Sequence, residues 1–260
     1  PGRTSSSPPS APPSPACGGP GAEPVIVATY NAHRGRSTAG IFRPARIARV
    51  IAETGADLVA LQEAQHWLRP GRAMFDAAWL EREAGLRPLS VTDRAGEQGW
   101  RGNVLLIRPG ARVLRPPIGL RIGGLEPRGA ILAELDLGWG AFRVIATHLS
   151  LGAERRHHQA EALLQAVAQG PPMPTLVMGD LNEWRPGASA LGVLEAVFGH
   201  QPPVHTFPAF RPMLALDRIM GLPHGLIAER RAHDTKLARG ASDHLPLVAR
   251  IDTGLLAWSF

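Results

Sequence analysis

The sequence predicts an α/β fold, and two β-α-β units carry the prediction. In the first, the apolar run Val25 to Tyr30 precedes a helical pattern starting at Pro44, and a second apolar run follows at Leu58 to Leu61. In the second, Phe142 to Thr147 precedes an amphipathic stretch at about 153–168, and Leu176 to Met178 follows. Such crossovers are right-handed and join parallel strands, so the two strand ends of each unit lie side by side. In both units those ends are polar: Asn31 and Gln62-Glu63 in one, His148 and Asp180 with Asn182 in the other. Open α/β sheets bind ligands at the carboxyl ends of their strands.

The ends of the chain bound what the fold contains. Residues 1–24 are rich in Pro, Ser, Gly and Ala and are expected to be a disordered tail, because they cannot bury a core. No composition break follows, so residues 25–260 are expected to form one domain. The chain begins at Pro1 rather than Met, and a further segment upstream is expected. Cys17 is the sole cysteine, which excludes an internal disulfide and a cysteine zinc site. No apolar run approaches the ~20 residues that span a bilayer, so stable membrane insertion is not expected. The net charge is +6, from 28 basic against 22 acidic residues. A basic surface favours phosphate-bearing partners. The arginines are scattered, however, and no basic run exceeds a pair, which weakens that inference. A cytoplasmic monomer is the expectation.

Taken in order, Val25 to Tyr30 reads as a buried strand, and residues 33–42 as a loop. Pro44 suits the first turn of a helix, Ile47, Val50 and Ile51 share one face, and Gly55 stops it. Met74 to Ala84 reads as a second helix closed by Gly85. Val104 to Ile107 is a strand introduced by Gly102-Asn103. Residues 109–128, with Pro109, Pro116, Pro117 and Gly123-Gly124, read as loop with one short strand at most. Ile131 to Leu137 and Phe142 to Thr147 form a hairpin about Gly138-Trp139-Gly140. Pro171, Pro172 and Pro174 precede the Leu176 strand. If its backbone stays extended past Gly179, Asp180 and Asn182 point to the same side; an Asx turn is the alternative. Leu214 to Met220 reads as a strand with Asp217-Arg218 inside it. A buried carboxylate there needs a partner. Ser242-Asp243-His244 precedes a last strand, Leu245 to Ile251.

The polar residues at these positions suit phosphate chemistry. Hard divalent ions take oxygen ligands, which Glu63, Asp180, Asp243 and the Asn31 amide offer. His148 and His244 suit proton transfer or phosphate contact near neutral pH. The ordered set Thr29-Tyr30-Asn31, Leu61-Gln62-Glu63, Gly102-Asn103, Pro127-Arg128, Thr147-His148-Leu149, Gly179-Asp180-Leu181-Asn182, Leu216-Asp217-Arg218-Ile219 and Ser242-Asp243-His244 resembles the endonuclease/exonuclease/phosphatase superfamily, in its short bacterial type. The resemblance runs from about Val25 to Ile251. It implies a four-layer sandwich of two packed mixed β-sheets flanked by helices, as in deoxyribonuclease I. It also implies a Mg²⁺ or Mn²⁺ phosphoesterase that uses water directly. Residue by residue, it assigns Glu63, Asn31 and Asp243 to the metal. Asp180 and Asn182 would orient the attacking water and the phosphate, and Asp217 would hold the catalytic His244. His148 and Arg128 would contact phosphate, His148 also serving as leaving-group acid in some members, and Asn103 would lie near substrate. Arg-Ile follows Asp217 where many members carry an aromatic.

Other readings are open to the sequence. His157, His158 and Glu161 fall at helical spacing, but no HExxH accompanies them, and a solvated helix face accounts for them. No G-x-S-x-G occurs, which argues against a serine hydrolase. The expected partner is a phosphate-ester substrate, nucleic acid among the candidates. A lipid head group at a membrane surface is the alternative, and an exposed apolar loop would favour it; Leu255 to Phe260 is the one such stretch visible in sequence, with a terminal strand packed on the core as its equal alternative. A non-catalytic binding module on the same fold is a third class, countered by the intact acidic and histidine set.

Overall fold

The computed structural model describes residues 24–66, 68, 72–92, 98–124 and 128–257. The expectations for the tail up to residue 23, for Cys17, for Pro127 and for residues 258–260 lie outside these.

In chain order the elements are β1 (Val25–Asn31), α1 (Pro44–Thr54), β2 (Leu58–Gln62), α2 (Ala77–Ala84), β3 (Arg87–Pro88), β4 (Val104–Ile107), β5 (Arg112–Leu120), β6 (Gly129–Asp136), β7 (Ala141–His148), α3 (Ala153–Ala168), β8 (Thr175–Asp180), α4 (Ser189–Phe198), β9 (Asp217–Leu222), β10 (Ile227–Ala232), α5 (Lys236–Ala241) and β11 (Leu247–Ile251). They form two mixed sheets, ordered β10-β11-β1-β2-β4-β3 and β5-β6-β7-β8-β9. Only β1 with β2 and β7 with β8 pair in parallel among the named strands, the two pairs that the β-α-β units predict.

Strand side chains alternate between faces, and here both faces are apolar. Val25, Val27, Leu58, Ala60, Leu105 and Ile107 of the first sheet pack against Ile131, Leu135, Val144, Ala146, Leu176 and Met178 of the second. The alternate residues Ala28, Tyr30, Val59, Leu61 and Leu106 face outward, where Ile47, Val50, Ile51, Leu80 and Ala238 of α1, α2 and α5 cover them. Ile145, Val177 and Met220 face the other way, under Ala160, Leu163, Leu191, Leu194 and Phe198 of α3 and α4. Helices, sheet, sheet, helices: the four layers expected.

Four readings need correction. Residues 112–120 are a full strand, not loop. β5 is an edge strand, its pairing with β6 slips twice around Arg115 and Pro116-Pro117, and most of it is exposed; proline is tolerated only where no ladder donor is needed. α2 begins at Ala77, three residues later than expected, because Asp76 caps it by accepting from the Trp79 amide. Asp217 is the first residue of β9 and not inside it, since Leu214 pairs with Phe207 instead. Finally, α4, α5, β10 and the short β3 carry no recognised signal. Gly192 lies inside α4, and β10 is a charged edge strand with no buried residue.

Candidate active site

Strand register builds one side of the site. Gly129 pairs with His148 across β6 and β7, His148 with Asp180 across β7 and β8, and Asp180 with Asp217 across β8 and β9. Arg128 precedes Gly129, so Arg128, His148, Asp180 and Asp217 stand in a row across the top of the second sheet. Asn31 ends β1 and Glu63 follows β2 in the first sheet, and Asp243-His244 leads into β11 beside them. The two sets face each other across a cleft of about 550 Å³, lined among others by Asn31, Glu63, Arg128, His148, Asp180, Asn182, Asp243 and His244.

Gly179 makes this row possible. Its φ is +152°, and a Cβ there would lie 1.9 Å from the Thr147 carbonyl oxygen. Only glycine lets β8 approach β7 closely enough to set Asp180 beside His148. Past Asp180 the backbone turns. Asn182 has φ +52° and donates its amide to Asp180 Oδ1 at 2.9 Å, the Asx turn rather than the extended backbone. The Asn182 side-chain amide donates to the Leu149 carbonyl at 2.9 Å, leaving its oxygen for the cleft. Glu63 also sits at positive φ, +50°, a conformation that non-glycine residues keep only where surroundings impose it.

His244 Nδ1 lies 2.8 Å from Asp217 Oδ2, although 27 positions separate them in sequence. The same oxygen accepts from the Thr206 hydroxyl at 2.5 Å. The other face of the ring points at Asp180, with Nε2 3.7 Å from Oδ2. Burial by itself would lower the pKa of His244. The Asp217 and Asp180 carboxylates and the Asp217 hydrogen bond reverse this and hold it at about 10, so the ring is an imidazolium. His148 goes the other way. Burial pushes it down to about 3 against the pull of Asp180, with Arg128 and His244 adding to the fall. Arg128 Nη1 is 2.7 Å from His148 Nδ1, and His148 Nε2 is 3.5 Å from Asp180 Oδ2. One histidine is charged and one neutral, both facing the same carboxylate.

Asp180 Oδ2 also accepts from Asn31 Nδ2 at 3.0 Å. Asn31 Oδ1 accepts from the His33 amide and has a lone pair left. Ligand atoms of Asp180, Asp217 and His244 lie within 4.8 Å of one another, close enough to hold a metal ion. That trio is already bonded internally through Asp217 Oδ2. Glu63, Asp243 and Asn31 line the same cleft, and their oxygen donors are of the type a hard divalent cation takes. Asn103 is placed elsewhere. It is fully buried behind the cleft, donating to the Gly129 carbonyl at 3.0 Å, and so ties β4 to β6. Arg218 donates to backbone carbonyls of Ala215 and Asp217, not to the Asp217 carboxylate.

Sequence reasoning missed a buried group under the loops that follow His148 and Asp180. Arg156 of α3 donates to Glu183 at 2.8 Å, to Ser189 Oγ at 3.1 Å and to the carbonyls of Ser150 and Leu151. Glu183, fully buried, also accepts from the Arg185 amide and guanidinium. The pair locks the loop after His148 to the loop after Asp180. An acid right after Asn182 and an arginine inside an otherwise amphipathic helix were its signal.

With this geometry in place, comparison with known proteins decides the family. The sequence pattern of the endonuclease/exonuclease/phosphatase family matches residues 28–244. The chain belongs to that family. Its members are hydrolases of phosphoester bonds and generally use a divalent metal. Among relatives, YbhP of Escherichia coli K12 is 32% identical over 139 residues, covering 50% of this chain and 54% of YbhP. The chain thus spans about half the length of the curated relatives it matches. Among solved structures, the endonuclease/exonuclease/phosphatase of Bacteroides vulgatus superposes with a TM-score of 0.68 at 18% identity, covering 88% of this chain and 99% of that one. D. rerio TDP2, solved with a single-stranded DNA product, gives 0.61 at 15% identity, with coverages of 88% and 98%. At these identities the structures show the shared fold.

Proposed function

We propose that this chain is a Mg²⁺- or Mn²⁺-dependent hydrolase of phosphodiester bonds that uses water directly, with nuclease or phosphodiesterase chemistry. The observation that carries the reading is the cleft itself. The row Arg128, His148, Asp180, Asp217 faces Glu63, Asn31, Asp243 and His244 over a space that admits a phosphate ester.

Glu63, Asn31 and Asp243 would hold the ion, which when bound supplies Lewis-acid polarisation of a phosphoryl oxygen. The remaining steps belong to the chain. Arg128 binds phosphate oxygens, a task suited to the planar guanidinium fork. Neutral His148 donates a hydrogen bond to the same group. The neutral ring keeps one N–H, which serves this contact. Asp180, held by the Asn31 side chain and the Asn182 amide, orients the attacking water and takes its proton on a remaining lone pair. His244, cationic and fixed by Asp217, directs its Nε2–H at the charge that builds on phosphorus oxygens. Asp217 sets the ring tautomer and stabilises the imidazolium.

The single-stranded DNA product in D. rerio TDP2 supports nucleic acid as one substrate class. A panel of plasmid DNA, abasic duplex, RNA, phosphoinositides, sphingomyelin and a chromogenic phosphodiester, each with Mg²⁺ and with Mn²⁺, tests the reading. Metal-dependent hydrolysis of at least one is expected. No hydrolysis of any, or hydrolysis that persists in EDTA, contradicts it.

A further inference from the structure

Asp217 and His244 do not hold each other unaided. The stretch from Thr206 to Ala209 lies outside the named strands, yet its backbone is tied to both. Leu245 N donates to Thr206 O at 2.9 Å and Ala209 N to Asp243 O at 2.7 Å, so the stretch grips the chain on either side of His244. Thr206 N donates to Leu214 O at 3.0 Å and Leu214 N to Phe207 O at 2.8 Å, which joins it to the segment that runs into Asp217.

Two side chains of this stretch reach the pair itself. The Thr206 hydroxyl, fully buried, donates to Asp217 Oδ2 at 2.5 Å, the oxygen that also accepts from His244 Nδ1 at 2.8 Å. The Phe207 ring packs on the His244 ring, with centroids 4.9 Å apart and planes tilted by 50°. Aromatic rings attract at such separations. Asp217 Oδ1, in contrast, is buried with no hydrogen-bond partner among the described residues.

This uneven load shows what the hydroxyl does. The terminal torsion of an aspartate is broad and two-fold, so a single bond to His244 leaves the carboxylate plane free to swing. Nothing on Oδ1 resists the swing. A second donor on Oδ2, anchored through its own backbone to Leu214, sets the plane. That plane in turn sets the imidazole, whose Nε2 faces the cleft 3.7 Å from Asp180 Oδ2. A hydroxyl that donates to a carboxylate makes a charge-assisted bond, stronger than one between neutral groups. Valine at this position would have nearly the same shape and no donor, and would leave the buried carboxylate with one partner fewer.

We propose that Thr206 is a positioning residue: its hydroxyl fixes the plane of the Asp217 carboxylate and thereby holds His244 Nε2 at the reacting phosphate, while Phe207 limits the tilt of the ring. The effect on hydrolysis rests on the phosphodiesterase reading above; the effect on the His244 hydrogen bond does not.

Two readouts separate these. The first is steady-state hydrolysis of the best substrate of the panel. Thr206→Val should lower kcat by about 10- to 100-fold and leave KM within about twofold of wild type. Thr206→Ala, which lacks the hydroxyl and cannot overpack, should do the same. Thr206→Ser keeps the hydroxyl and should restore kcat to within about threefold of wild type. Introduced into His244→Ala, Thr206→Val should change the residual kcat by less than about twofold, because it acts through the missing ring. A merely structural role would lower kcat in both backgrounds alike, in step with the unfolding midpoint. The second readout needs no turnover. It is the proton NMR signal of His244 Nδ1–H, identified by its absence in His244→Ala. Exchange of this proton with water should be slow in wild type and Thr206→Ser and faster in Thr206→Val and Thr206→Ala. Wild-type kcat in Thr206→Val and Thr206→Ala, a loss that Thr206→Ser does not rescue, or an equal loss in the His244→Ala background overturns the proposal. A wild-type chain that hydrolyses no ester refutes the phosphodiesterase reading instead; the Nδ1 proton then decides the positioning alone, and equal exchange in wild type and Thr206→Val overturns it.

Discussion

Replacing Glu183 with glutamine keeps the shape of the Arg156–Glu183–Arg185 group and removes its charge. The carboxylate is fully buried, yet burial, which alone would raise its pKa, is overcome by hydrogen bonds from Arg185, Arg156 and Ser189, and it is held at about 2 against an ordinary 4.5. Each pKa unit corresponds to ~1.4 kcal/mol, so the ionised form favours the folded state by about 3 kcal/mol. A buried pair broken by removal of one partner costs roughly 3–5 kcal/mol, in agreement. The sign follows from linkage. A carboxylate with a depressed folded pKa stabilises fully above its unfolded value and loses that stabilisation as pH falls through the folded one. Glu183→Gln should therefore be about 3 kcal/mol less stable at pH 7, and the difference should shrink from about pH 4.5 downwards and vanish near pH 2. Urea unfolding of both proteins at steps between pH 7 and the lowest pH at which wild type stays folded measures this. A difference under about 1 kcal/mol at pH 7, or one constant with pH over that range, refutes the reasoning.

His244→Ala should slow turnover by ~10²–10⁴-fold with little change in KM, Asp217→Asn should also be damaging, and the double variant should lose less than the sum; steady-state kinetics giving additive losses would separate the two residues. Arg128→Lys keeps the charge but not the bidentate fork, and should lose activity nearly as Arg128→Ala does; wild-type kcat/KM in both would remove Arg128 from phosphate binding. Gly179→Ala forces a Cβ against the Thr147 carbonyl and should lower the unfolding midpoint and abolish turnover together; a fully stable, active variant would contradict the close approach of β7 and β8.

Much of the site was legible because it lies at strand ends, where register turns sequence order into spatial order. Asn31, Glu63, His148 and Asp180 follow from two β-α-β units, and the Asp217–His244 contact from the need of a buried acid for a partner. What escaped did so for physical reasons. Strand β5 runs through Pro116-Pro117, a pattern that denies a central strand but permits an edge. β10 is charged and has no buried residue, so no apolar periodicity marks it. Arg156 and Glu183 gave no signal because a sequence shows no burial, and only the fold shows that they pair under the loops.

The central claim is that a divalent ion held by the Glu63 group drives phosphodiester hydrolysis in this cleft. The most direct measurement is turnover of the best substrate of the panel against Mg²⁺ and Mn²⁺ concentration, for wild type and Glu63→Gln. The account predicts no activity in EDTA, restoration by added metal, and a variant that folds like wild type but turns over orders of magnitude more slowly at every metal concentration. Full activity in EDTA, or a Glu63→Gln curve that overlays wild type, would contradict it.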